Sequence, residues 1–213
     1  MDEIMDNIIP EAVIRRLPRY YRYLRDLERK GEVRVSSAKM SRDMGLNASQ
    51  IRRDLNYFGG FGQQGYGYSV LSLKAEIAHI LGIDKEYNAV IIGAGNIGHA
   101  LMRYTKFQQL GFHIVGMFDI NPDKIDGKTV RDICELPQIV RKHGIIHIGI
   151  ICTNKEAAQQ TAELLERLGV KGIWNFAPED VAVSKQVAVQ HVHLNDSLYE
   201  LCFRMNNKNN LRA

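Results

Sequence analysis

Three glycines, Gly93, Gly95 and Gly98, carry the spacing G-x-G-x-x-G between an apolar run at residues 89–92 and a helical pattern at 97–110. A second apolar run, 113–118, ends on Asp119. Strand, glycine turn, helix, strand and acid follow one another as in a dinucleotide-binding unit. Each glycine has its own task there: a tight turn, close backbone approach to a pyrophosphate, and close packing of helix on strand. Gly93, Ala94, Gly95, Asn96, Ile97 and Gly98 are therefore candidate cofactor-binding residues. Asp119 is placed to accept hydrogen bonds from ribose hydroxyls, and its charge would repel a 2′-phosphate. Cys152 and Thr153 end a further apolar run, 145–152, on the strand edge where nucleotides bind. The bland alternative is a glycine loop inside an ordinary α/β core.

A second constellation lies upstream. Residues 48–57 read as a short helix capped by Asn47. Ile51 and Leu55, four apart, share the face that docks it. Ser49, Gln50, Arg52, Arg53 and Asn56 make up its polar surface. Gln50 and Arg53 share a face, and Gln can bond adenine and Arg guanine bidentately in a major groove. Lys39 and Arg42 on the preceding helix are candidate phosphate contacts. A solvated surface helix is the competing reading. The capped helix before it and the glycine- and aromatic-rich segment after it favour double-stranded DNA. In that segment Gln63, Gln64 and the backbone around Gly65 can reach phosphates or minor-groove acceptors.

The surrounding periodicity supplies elements to hold these residues. Residues 10–30 predict a long helix, with Val13, Leu17, Tyr20, Leu24 and Leu27 at helical spacing. Residues 33–35 suggest a short strand, and Ser36 or Ser37 caps a helix running to Met44. Residues 58–70 look like a β-hairpin, followed by a helix at 71–81 capped by Ser72. Helix, turn, helix and hairpin make a winged helix-turn-helix. Past a short charged linker at 83–88, strands and helices alternate as in a parallel sheet. Strands are expected at 172–176 and 187–194 and a helix at 155–168. A final helix runs to Met205, capped by Asn195 or Asp196. The fold class expected is α/β: a winged-helix DNA-binding domain at 1–82, a Rossmann-type domain at 83–194, and a C-terminal helix and tail at 195–213.

Charge is distributed unevenly. The whole chain of 213 residues carries +4, but residues 10–74 carry +7 and residues 75–213 balance to zero. A basic front module is what a polyanion partner requires. No apolar run approaches the roughly 18 residues of a membrane span. The acidic start lacks the order of a signal peptide. Cys134, Cys152 and Cys202 are odd in number and far apart, which argues against a disulfide framework and for a reducing cytoplasm.

The second half shows no catalytic set, and residues 83–213 suffice for one nucleotide-binding domain and little else. His147 sits in an apolar run and reads as a core histidine. His191 and His193 alternate on a strand, but two histidines make no metal site by themselves, so no metal is expected.

Ile9-Pro10-Glu11-Ala12 with Arg16-Leu17, and the run Gln50 to Gly59, resemble the Rex family of redox-sensing transcriptional repressors. So do Gly65-Tyr66-Gly67-Tyr68, the glycine turn, Asn175-Phe176-Ala177-Pro178 and Val187-Ala188-Val189, in one order from about residue 9 to 205. The resemblance implies a cytoplasmic homodimer that binds near-palindromic operator DNA when NADH is scarce and releases it when NADH binds. It implies NADH and NAD⁺ as cofactors, and Tyr104 and Phe107 join the cofactor-binding candidates. It also implies a C-terminal helix exchanged across the dimer and a switch network of Tyr, Arg and Asp. Tyr104 and Arg22 match the first two positions. His193 stands at the third, and the nearest acid is Asp196. The rival from another class is a small NAD-dependent oxidoreductase with a basic structural front domain.

Overall fold

The computed structural model describes residues 9–58, 62–63, 66–122 and 130–207. The chain divides into two compact units, the first ending at Lys85 and the second beginning at Glu86.

The first unit opens with α1 (Glu11–Arg29), whose buried Val13, Leu17, Tyr20, Leu24 and Leu27 form one apolar stripe. Burial of each such side chain contributes about 1.5–3 kcal/mol. Next come β1 (Arg34–Val35), α2 (Ser37–Met44) and α3 (Ala48–Asn56). The Ser36 hydroxyl accepts from the Lys39 N–H, and the Asn47 amide oxygen accepts from the Ser49 N–H. Gly45, at φ 64°, ends α2 in the left-handed region and turns the chain into α3. The strands β2 (Gly62–Gln63) and β3 (Gly67–Ser69) complete an antiparallel sheet in the order β1-β3-β2. Helix α4 (Val70–Ile80) follows directly; its cap is Ser69, three residues earlier than the Ser72 that the sequence suggests. Ser72 instead donates its own N–H to the Ser69 hydroxyl.

The second unit is a six-stranded parallel sheet in the order β6-β5-β4-β7-β8-β9. Its strands are β4 (Tyr87–Ile92), β5 (Phe112–Asp119), β6 (Val130–Asp132), β7 (Ile148–Ile151), β8 (Gly172–Asn175) and β9 (Ala188–His191). This is the doubly wound order, with its switch point between β4 and β7. Val90 and Ile92 face one side, packed with Ile139 of α7 (Leu136–His143) and Ala158, Ala162 and Leu165 of α8 (Lys155–Arg167). Ala89 and Ile91 face the other, with Met117, Ile150 and the half-buried Leu101.

Several expectations are revised. The helix expected at 97–110 is two pieces, α5 (Asn96–Met102) and α6 (Lys106–Gln109). Tyr104 lies in the break, where its N–H bonds the Leu101 carbonyl three residues back and tightens the last turn. Strand β6 and helix α7 stand where the sequence pattern predicts no element. The last helix, α9 (Leu194–Asn206), begins after His193, so neither Asn195 nor Asp196 is its cap. Its apolar residues Leu198, Tyr199, Leu201, Phe203 and Met205 are all exposed in the single chain. No helix among the described residues is long and apolar enough to cross a membrane.

Candidate nucleotide and nucleic-acid sites

The glycine turn is locked between three strand ends. The Gly93 N–H donates to the Phe118 carbonyl of β5 at 2.7 Å, and the Cys152 N–H donates to Ile92 of β4 at 2.7 Å. Gly93 has φ +101°, and a Cβ on it would lie 2.6 Å from the Cys152 carbonyl group. A Cβ on Gly98 would collide with the Gly93 carbonyl oxygen, so α5 can sit this close to β4 only with glycine there. Gly95 differs: a Cβ there would meet nothing within 4 Å. Two glycines thus serve the protein's own packing, and the third faces open space beside the carboxyl ends of the parallel strands.

Two polar side chains lie close to the turn. Asp119 accepts the Ala94 N–H through Oδ2 at 2.9 Å and the Asn121 N–H through Oδ1 at 3.0 Å. The carboxylate therefore braces the turn as well as facing the site, and each oxygen keeps lone-pair capacity for a hydroxyl donor. The Thr153 hydroxyl is buried and has no hydrogen-bond partner among the described residues. Such an orphan calls for a missing partner. Asn96 is exposed and Ile97 half-buried. Burial pushes the neighbouring Cys152 thiol up to about 12, which makes it an inert lining group.

An aromatic ladder lies on the Ala89 face of the sheet. Tyr104 meets Phe107 edge-on at 4.9 Å, Phe107 meets Trp174 at 6.0 Å, and Trp174 meets Phe176 at 4.6 Å between centroids. Trp174 and Phe176 were absent from the sequence-derived set. Their alternation with buried Ile173 and Asn175 on β8 was the available signal.

In the first unit α3 buries Ile51, Asp54 and Leu55 and exposes Ser49, Arg52, Arg53 and Asn56, with Gln50 half-buried. Arg53 has no hydrogen-bond partner among the described residues. Arg52 is tied down, donating to the Ser37 hydroxyl at 3.0 Å and the Ser49 hydroxyl at 3.3 Å. Lys39 is paired with Glu32 at 2.8 Å, whereas Arg42 is exposed. Gln63 lies on β2, and Gln64 and Gly65 fall outside the described residues.

Two further groups escaped the sequence reading. Asp54 accepts from Arg16 Nε at 2.6 Å, from Arg16 Nη2 at 2.8 Å and from the Tyr20 hydroxyl at 2.6 Å. This network pins α3 to α1. The bond to Asp54 raises the Arg16 pKa, and burial together with Asp54 raises that of Tyr20, so the guanidinium stays charged and the phenol stays a donor. Losing one partner of such a buried pair costs about 3–5 kcal/mol. Arg34 of β1 donates to the Tyr66 carbonyl at 3.3 Å and lies 5.9 Å over its ring, bringing a positive charge to a hairpin that lacks its own.

The switch candidates lie as follows. Arg22 is exposed on α1 and Tyr104 is exposed in the α5–α6 break. His193 occupies the N-cap position of α9, with Nε2 2.8 Å from Asp180 Oδ1. Asp196 lies exposed in the first turn of α9. His193 thus has a carboxylate partner, Asp180, within its own unit.

A family model described as "Putative DNA-binding protein N-terminus" matches residues 8–56, and one described as "CoA binding domain" matches residues 84–179. The redox-sensing transcriptional repressor Rex of Thermoanaerobacter sp. (strain X514) is 50% identical over 204 residues, covering 94% of this chain and 91% of that protein. That of Clostridium novyi (strain NT) is 50% identical over 205 residues, covering 94% and 97%. The crystal structure of RSP in complex with β-NAD⁺ and operator DNA superposes with a TM-score of 0.87 at 48% identity, covering 96% of this chain and 95% of that one. RSP in complex with β-NADH gives 0.84 at 46% identity, covering 96% and 97%.

Proposed function

The chain belongs to the Rex family of redox-sensing transcriptional repressors, and from that membership we propose how its two units divide the work. It is a repressor rather than an enzyme, and NADH and NAD⁺ regulate its hold on operator DNA. Residues 1–82 bind the operator, residues 83–194 bind the nucleotide, and residues 195–213 exchange across a homodimer. The protein works in the cytoplasm.

One observation carries the nucleotide reading: a glycine turn braced by Asp119 opens onto free space at Gly95 and packs at Gly93 on the backbone before the unpartnered Thr153 hydroxyl. These residues fit a dinucleotide. The backbone of residues 93–98 holds the pyrophosphate, Asp119 takes ribose hydroxyls, and the Thr153 hydroxyl gains its missing partner. Tyr104 and Phe107, with Trp174 behind them, line the apolar side. The bound cofactor supplies a redox-dependent charge and ring shape, not a hydride. A family named for coenzyme A matches the same half, which is consistent because both cofactors carry an adenosine and a pyrophosphate.

On the DNA side, α3 enters the major groove, with Gln50 and Arg53 at base edges and Ser49, Arg52 and Asn56 around them. Arg42 contacts phosphates, and residues 63–65 reach phosphates or minor-groove acceptors. Lys39 can do so only by giving up Glu32. Two-fold symmetry of the dimer calls for a near-palindromic operator. Arg22, Tyr104 and the start of α9, at His193 or Asp196, link the two sites.

The test is operator binding by fluorescence anisotropy with NADH and NAD⁺ titrated separately. NADH should weaken operator binding by roughly 5- to 150-fold, and NAD⁺ should not. Equal effects of the two nucleotides would overturn the redox reading.

A further inference from the structure

Among the described residues of the second unit, a polar cluster lies outside the nucleotide crevice, and one of its members, His193, is also a candidate for the switch. Asp180 lies on the segment after β8, His191 ends β9, and His193 precedes α9. Residues 191 and 193 are two apart on extended chain, so their rings point to one side. The rings are stacked with centroids 6.1 Å apart and planes within 5°. Asp180 Oδ1 lies 2.8 Å from His193 Nε2 and 3.4 Å from His191 Nδ1. One donor atom from each of the three residues lies within 4.8 Å of the others.

Two imidazole nitrogens and one carboxylate oxygen make a donor set suited to zinc and neighbouring divalent metals. Magnesium and calcium prefer oxygen alone, and no thiolate is present to select a soft ion. A tetrahedral zinc ion about 2 Å from each donor sets its donors about 3.3 Å apart, close to the two separations found here. We propose that Asp180, His191 and His193 form a three-ligand site for a divalent transition metal, with zinc the expected occupant. Three protein ligands leave the fourth tetrahedral position to water.

The support behind the ligands is built. Asn175 is fully buried; its Nδ2 donates to the Glu179 carbonyl at 2.7 Å, and its Oδ1 accepts from the Ala177 N–H at 3.0 Å. Lys155 pairs with Glu179 at 2.8 Å. Together they fix the segment that carries Asp180. Asn175 Nδ2 also lies 3.1 Å from His191 Nδ1, within reach to donate to that nitrogen when the ring proton is on Nε2. Metal binding takes over this lone pair, and Asn175 keeps its other two bonds. The ion would tie the β8–β9 segment to the start of α9. The sequence, with its two histidines, led to the expectation of no metal; Asp180, folded in from eleven residues upstream of His191, supplies the third ligand.

The experiment is calorimetric titration of metal-free, untagged full-length protein with zinc chloride near pH 7.5, with cobalt(II) absorption as a second readout. The unaltered chain should bind one zinc per chain and give the visible bands of a low-coordinate cobalt site. Asp180→Asn, an exposed change of one atom, and His193→Ala should each weaken zinc by more than about 100-fold, beyond the loss expected for an outer-shell partner. Thermal melts of both variants matching the unaltered chain show that the fold survives. No saturable zinc binding, zinc binding unchanged in folded variants, or calcium binding as tight as zinc would each overturn the site.

Discussion

Single side chains decide what each site can distinguish. With Asp119 as the proposed ribose acceptor, its charge opposes a 2′-phosphate, and NADH should bind far more tightly than NADPH. Asp119→Ala should narrow that preference, and it should also lower NADH affinity because the Ala94 N–H loses its acceptor. Equal NADH and NADPH affinities in the unaltered chain would refute the role. Arg53 is exposed and unpaired among the described residues of α3, and Arg53→Ala should cost about 1–3 kcal/mol on operator DNA. The loss should be smaller on random DNA; a uniform loss would make Arg53 a phosphate contact. Cys152 gives a prediction in pH. Burial favours its neutral form and pushes its pKa up to about 12, so raising the pH to 9 leaves it almost wholly thiol. Iodoacetamide at pH 8 should label exposed Cys134 and spare Cys152, and mass spectrometry showing equal labelling would contradict that burial. Residues joined by local spacing were legible in the sequence: Gly93, Gly95 and Gly98, with Asp119 one strand further on. Residues joined only by folding were not. Asp54 finds Arg16 across 38 positions, and Arg34 finds Tyr66 across 32.

At the scale of elements, hydrophobic periodicity revealed most of the fold. The stripe of α1, the caps at Ser36 and Asn47, and the continuous apolar strand at β7 could all be read because each is encoded within its own stretch of chain. Three features could not be read that way. The break at Tyr104 is a local tightening inside an otherwise helical pattern. Helix α7 follows a short edge strand and has only two buried residues, Leu136 and Ile139, too few for a clear period. The start of α9 at His193 uses no side-chain cap, so the sequence reading moved the boundary to the nearest good capping residues. Helix α9 itself carries the element-scale prediction. Its two apolar rows are exposed in the single chain, and a helix this apolar requires a surface to cover it. Deletion of residues 195–213 should therefore yield monomers or aggregate in sedimentation or light scattering. A soluble, dimeric truncation that still binds operator would rule out exchange of this helix.

At the scale of the whole molecule, the two units serve two ligands whose effects must be linked. NADH can release DNA only if it binds the non-DNA-competent form more tightly. The coupling free energy is then shared: the factor by which NADH weakens operator binding must equal the factor by which operator weakens NADH binding. The decisive measurement is NADH affinity, read from its fluorescence, with and without saturating operator duplex at one salt concentration. The result expected is a loss of NADH affinity of roughly 5- to 150-fold, equal to the loss of operator affinity at saturating NADH. NADH affinity unchanged by operator would mean that the two sites fold together in one chain without communicating, and would contradict the account at its centre.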